Sequence, residues 1–228
     1  MNINTNLDNF KKKHKNRKNQ IIFYKTSCKN KDVLENIICN FLKKKNSFIF
    51  ESVEKRRFRG RYTIIGADPD KIWELNKKKI YLIKNNNRNT IKGEPYHFLK
   101  NLIENFNFPL PKNLPPLCSL LVGYFSYDII RYIEKIPDKC LDDLKIPDVR
   151  LMRPKTIIIY DNLVKKIYFI RNCFSDEKIT NYQDYFLKQI QNLKYLKNLA
   201  FNINFDNSVK KAPIKKAKVK SNISKKSF

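Results

Sequence analysis

Residues 21–24, Ile-Ile-Phe-Tyr, form an unbroken apolar run that predicts a first strand. From Asp32 the spacing changes. Val33, Leu34, Ile37, Ile38, Phe41 and Leu42 recur at helical intervals, and the run closes on Lys43-Lys44-Lys45, cations that suit a helix C-terminus. Ser47 to Val53 and Arg61 to Ile65 read as two strands joined by the charged segment Glu54 to Gly60, a hairpin with a long loop. Lys71 to Leu75 and Lys79 to Lys84 flank an Asn-Lys-Lys turn. Behind Pro95, the residues Phe98, Leu99, Leu102, Ile103 and Phe106 predict a second amphipathic helix. Pro109, Pro111, Pro115 and Pro116 then enforce an extended connection. Ser119 to Phe125 is hydrophobic enough for a strand buried on both faces, and Tyr127 to Ile133 continues as a short helix. Lys155 to Tyr160 and Lys166 to Ile170 form a hairpin over Asp161 to Val164, followed by a helix from about Asp176 to Leu196. Strands and helices mix without strict alternation, so the expected class is α+β, with mainly antiparallel sheets and packed helices.

The chain has 228 residues, 42% of them hydrophobic and 13% aromatic, which is ample for one core. Its formal net charge of +27 raises the question of nucleic acid. The distribution argues against that partner: residues 1–20 carry six Lys/Arg against Asp8, and residues 209–228 carry eight lysines and no acid. Asn, Ile and Lys recur throughout, as a biased codon usage would produce, and no nucleic-acid partner is expected. Residues 1–19 are polar and basic without periodicity and are expected to be a disordered tail. No apolar stretch approaches the roughly 20 residues that cross a bilayer, so no membrane partner is expected either. Cys28, Cys39, Cys118, Cys140 and Cys173 are odd in number and widely spaced, which reads as reduced thiols in a cytoplasmic protein. The two histidines, His14 and His97, supply no metal-ligand spacing, and no metal site is expected.

General catalytic signatures are missing. Ser126 lies in Gly123-Tyr-Phe-Ser-Tyr127, which lacks the second glycine of a nucleophile elbow, and four scattered glycines cannot build a phosphate loop. Other segments carry more information. Ser47-Phe-Ile-Phe-Glu-Ser-Val-Glu54, followed by Gly60-Arg-Tyr-Thr-Ile-Ile-Gly-Ala-Asp-Pro69, resembles the strand pair of anthranilate synthase component I that begins with a Leu-Glu-Ser type motif, with Phe50 where that family usually has leucine. Leu121-Val-Gly-Tyr-Phe-Ser-Tyr-Asp128, Arg131-Tyr-Ile-Glu134 and Ile146-Pro-Asp-Val-Arg-Leu-Met-Arg-Pro154 resemble the same family in the same order, as does the hairpin Thr156 to Ile170. Together they span roughly residues 20–228.

The resemblance implies an enzyme, a lyase of tryptophan biosynthesis. Its complete form makes anthranilate and pyruvate from chorismate, with ammonia from a glutamine amidotransferase subunit, and with magnesium. It further implies that the Glu-Ser strand helps form a pocket for the feedback effector L-tryptophan, with Glu51 and Ser52 as contacts. A serine hydroxyl and strand-end backbone groups suit an amino acid's charged ends, and Phe48 or Phe50 could enclose an indole. Gly60 permits a tight turn, and Arg61 could reach a carboxylate or be a solvated arginine of the hairpin. Tyr127, Asp128 and Arg131 read as a packed polar corner. The expected organisation is a basic tail at 1–19, the N-terminal domain of this family at 20–206, and a basic linker at 207–228 toward a chorismate-binding domain that the chain lacks. No catalytic residue or cofactor is assigned to the chain, and by itself it is expected to be inactive. The alternatives are part of aminodeoxychorismate synthase component I, or a non-catalytic module that binds an amino acid or an amidotransferase partner.

Overall fold

The computed structural model of the chain describes residues 2–30, 32–51, 60–106, 108–137 and 141–202. Among the described residues, eight strands form one antiparallel sheet: β1 (Gln20–Ser27), β2 (Phe48–Phe50), β3 (Tyr62–Asn76), β4 (Lys79–Lys84), β5 (Asn87–Ile91), β6 (Val122–Phe125), β7 (Val149–Asp161) and β8 (Lys166–Cys173). The α-helices of the described residues are α1 (Leu7–Lys15), α2 (Asp32–Leu42), α3 (Pro95–Glu104) and α4 (Tyr182–Phe201), together with a 3-10 turn at Tyr127–Tyr132. The α+β class read from the sequence is what the chain adopts.

Two long strands organise the sheet. β3 and β7 pair from Tyr62 opposite Asp161 to Leu75 opposite Val149. At one end of this pair the order is β1, β8, β7, β3, with β2 beside β3. At the other end β6 lies beside β7, while β4 and β5 extend the sheet from β3. The two-residue period of a strand sends Ile158 and Tyr160 of β7 to one face, and Ile157 and Ile159 to the other. On the first face α1, α2 and α4 cover the sheet with Phe10, Ile37, Phe41, Leu193 and Leu196. On the second the proline-rich connection supplies Phe108, Leu114, Cys118 and Leu120. A third cluster joins Trp73, Leu75, Ile80 and Val149 to Leu99 of α3.

Several expectations are corrected. Residues 1–19 are not a disordered tail. Asn6 caps α1 by accepting from Asn9 N–H at 3.0 Å, Asp8 sits in the first turn and Lys12, Lys13 and Lys15 in the last, so capping and the helix dipole both favour the helix. Phe10 is fully buried against Tyr185 and Phe186 of α4, with centroids 5.7 and 5.5 Å away. Ahead of the helix, the Asn4 carboxamide donates to Ile21 carbonyl at 2.9 Å and accepts from Phe23 N–H at 2.8 Å. That pair of bonds satisfies the outer edge of β1 as another strand would.

The segments Arg61–Ile65 and Lys71–Leu75, expected as separate strands, are one strand. Pro69 reads as a break, yet β3 passes through it with a register shift between Pro69 and Lys71 and a left-handed Asp68 at φ +53°. Charges hold this bend. Arg153 donates to Asp70 at 2.8 Å and to Asp176 at 2.9 Å, while buried Arg171 binds Thr156 and reaches Gln189 at 3.1 Å. Thr156 in turn donates to Asp68 at 2.7 Å.

Strand β6 is shorter than the expected Ser119–Phe125 run and is not buried on both faces. Only Val122 is buried, because among the described residues β6 pairs with β7 alone. Gly123 has its own steric reason: a Cβ there would collide with the Arg150 carbonyl across the pair. β5 is a polar strand that apolar alternation does not reveal, held where Arg88 stacks 3.8 Å from the Tyr81 ring and pairs with buried Glu74 at 3.1 Å. The last helix begins at Tyr182 rather than Asp176, where Asn181 caps Gln183 and Asp184 N–H. Among the described residues no helix is long and apolar enough to cross a membrane. The expected linker at 207–228 lies outside the described residues.

Candidate functional site

Strand β2 pairs three of its residues with β3. Phe48 pairs with Gly66, Ile49 with Ile65 and Phe50 with Ile64, while the same residues of β3 pair with β7. The Phe48 ring lies over Gly66 so closely that any side chain at Gly66 would displace it. Ile49 turns to the helix-covered core, and Phe48 packs on the opposite core. Phe50 follows Phe48 on that side, with ring centroids 4.9 Å apart, but is 47% exposed. Glu51 continues from the strand end as an exposed residue. Ser52 lies outside the described residues.

The chain returns at Gly60, whose φ of +79° no side chain favours, and delivers Arg61 to the start of β3. Arg61 is not a freely solvated arginine. Its Nε lies 3.1 Å from each Asp161 oxygen, and its Nη2 is 2.7 Å from Oδ2, a bidentate grip on one side of the guanidinium. Its carbonyl also accepts from Asn162 N–H at 2.8 Å. Asp161 is 1% exposed and accepts from the N–H groups of Leu163 at 3.0 Å and Val164 at 3.3 Å. Burial pushes its carboxyl pKa up, but Arg61 and the two N–H donors outweigh that and hold it below the usual range. Bonding to Asp161 correspondingly raises the Arg61 pKa.

Of the sequence-predicted site residues, Phe50 and Arg61 therefore flank one strand pair, with Glu51 at its open end: β2 stops opposite Ile64, three residues from Arg61. The geometry offers an exposed aromatic ring, a carboxylate and a fixed cation. Asp161 was visible in the sequence only as a turn residue. Its role depends on the β3–β7 pairing, which sets it opposite Tyr62 across nearly a hundred residues of chain.

A concavity lies at the other end of the sheet. A groove of about 940 Å³ runs among Lys77, Lys78, Tyr124, Tyr132, Leu144 and Asp148. Lys77 and Lys78 are left-handed at φ 46° and 65°, and the turn they make is tied down when Lys77 N–H donates to Asp148 at 3.1 Å. Tyr132 donates to the same carboxylate at 2.6 Å. The expected polar corner holds in part. Asp128 pairs with Arg131 at 2.8 Å, but Tyr127 is 90% exposed rather than packed, because the 3-10 turn directs it away from the core.

Among the described residues no group of three or more His, Cys, Asp or Glu is placed to hold a metal ion. Cys28, Cys118 and Cys173 are buried, and burial pushes the Cys118 thiol up to about 11 and Cys173 up to about 12, which keeps both protonated.

Residues 45–228 match the family described as chorismate binding enzyme. Anthranilate synthase component 1 of Acetivibrio thermocellus is 32% identical over 187 residues, covering 79% of this chain and 37% of the relative. The component 1 of Cereibacter sphaeroides is 29% identical over 168 residues, covering 70% and 33%. The chain thus spans about a third of the length of these curated relatives. A crystal structure of anthranilate synthase component I from Streptococcus pneumoniae overlaps 74% of this chain and 37% of that one, at a TM-score of 0.48 and 23% identity.

Proposed function

The chain belongs to the chorismate-binding enzyme family, and we propose on that footing that it is the tryptophan-sensing part of an anthranilate synthase component I. The complete enzyme in this reading makes anthranilate and pyruvate from chorismate, taking ammonia from a glutamine amidotransferase subunit. This part of it binds L-tryptophan and does no chemistry. The effector sits at the open end of β2: its indole lies against Phe50, its ammonium meets Glu51, its carboxylate faces Arg61, and Ser52 contacts its charged end.

The observation that carries the reading is the set of three complementary groups supplied by the end of β2 and the residue that precedes β3. A half-exposed aromatic, an exposed carboxylate and an arginine fixed by Asp161 correspond to the three chemical parts of an aromatic amino acid. Arg61 is the strongest member, since its direction is set before any ligand arrives.

Feedback inhibition is a coupling free energy, typically about 1–3 kcal/mol, between this site and the chorismate site. Substituting Ser52→Phe in the complete synthase fills the effector space without touching the reacting atoms. Anthranilate formation, followed by its fluorescence, should keep its turnover number while inhibition by L-tryptophan disappears. Undiminished inhibition in Ser52→Phe overturns the assignment.

A further inference from the structure

We infer that Asp161 is the positioning residue of the effector site, holding Arg61 so that the free end of its guanidinium receives the effector's carboxylate. This rests on the reading of the β2 end as an amino-acid site and adds a residue on a different strand to it.

The geometry of the pair is directional. Asp161 occupies the side of the guanidinium formed by Nε and Nη2, at 3.1 and 2.7 Å. The opposite end, Nη1 with the second Nη2 proton, meets no acceptor among the described residues. A guanidinium carries five N–H donors in a fixed plane, so gripping one side determines where the remaining donors point. Asp161 is itself immobile: it is 1% exposed, paired with Tyr62 in the strand register, and bound by Leu163 and Val164 N–H. The Tyr62 ring, 4.9 Å from the guanidinium carbon, closes one face of the plane. Arg61 itself stays 36% exposed.

The role predicts a signature that a change in fold stability does not produce. A ligand with the carboxylate should depend on Asp161, and one without it should not. The experiment compares binding of L-tryptophan and tryptamine by calorimetry in the synthase assembly that contains this chain, for the wild type, Asp161→Asn, Arg61→Gln and the double variant. L-tryptophan should bind about tenfold or more weakly in either single variant, as expected for loss of a charge-assisted bond. Tryptamine affinity should stay nearly constant, and the double variant should be no weaker than Arg61→Gln, because the two residues act as a unit. If Asp161→Asn does not fold, Asp161→Glu, which keeps the charge but shifts its reach, should reproduce the selective loss for L-tryptophan.

Equal weakening of both ligands, or additive losses in the double variant, overturns the positioning role and leaves the pair as a structural tie. Loss of inhibition in Ser52→Phe combined with unchanged L-tryptophan binding in Asp161→Asn rejects this inference but keeps the effector assignment. Failure of the wild-type assembly to bind L-tryptophan rejects both.

Discussion

Asp176 shows how a single carboxylate ties the bend of the sheet to the chain beyond it. Burial alone pushes its pKa up. Arg153 at 2.9 Å and Lys71 at 2.5 Å outweigh that and bring it from 3.8 down to about 2. A carboxyl whose pKa is depressed on folding contributes stability above its unfolded pKa and loses that contribution as pH falls through the folded one. The Asp176 contribution is therefore complete above about pH 4 and gone near pH 2. Its side chain is 44% exposed, so solvent screens the pair and the contribution is modest. In thermal melts, Asp176→Asn should be less stable than wild type at pH 6, with the difference closing between pH 4 and pH 2. A gap that persists at pH 2 would assign the effect to packing instead of charge. The same scale explains what the sequence hid. Phe50, Glu51 and Arg61 could be proposed as site residues from the sequence, since their side-chain chemistry and the surrounding motif are local. Asp161 was not, because its value comes from a strand pairing that no local pattern encodes.

Among the elements, α1 is the one that charge counting misjudged. Six cations near the N-terminus suggested a solvated tail, yet four of them belong to a nine-residue helix whose only large apolar anchor beyond Leu7 is Phe10. Two apolar residues among so many lysines read as part of a basic tail, although they share one helix face. Its cost is visible in packing: Phe10→Ala should lower unfolding free energy by about 3–5 kcal/mol in urea titration, the usual range for a buried phenylalanine. A change below about 1 kcal/mol would return α1 to the status of a tail. The elements that were legible are those with strong periods, namely β1, α2, α3 and the β7–β8 hairpin. β5 escaped because its residues are polar and exposed, held by Arg88 on Tyr81 and by Glu74. β3 was divided in two because Pro69 normally ends a strand, whereas here the bend is held by the ion pairs of Asp70 and Arg153.

For the whole molecule, β3 and β7 make one continuous frame from the effector end, at Arg61 and Asp161, to the groove end, at Lys77 and Asp148. These strands link the proposed effector end to the other, where β6 leaves Tyr124 and Phe125 exposed. The proposed location of the effector can be read by amide hydrogen exchange on the assembled synthase, with and without L-tryptophan. Protection should rise at residues 48–51 and 61–64, with little change around Lys77, Tyr132 and Asp148. Protection centred on the groove, or none anywhere in the chain, would contradict it.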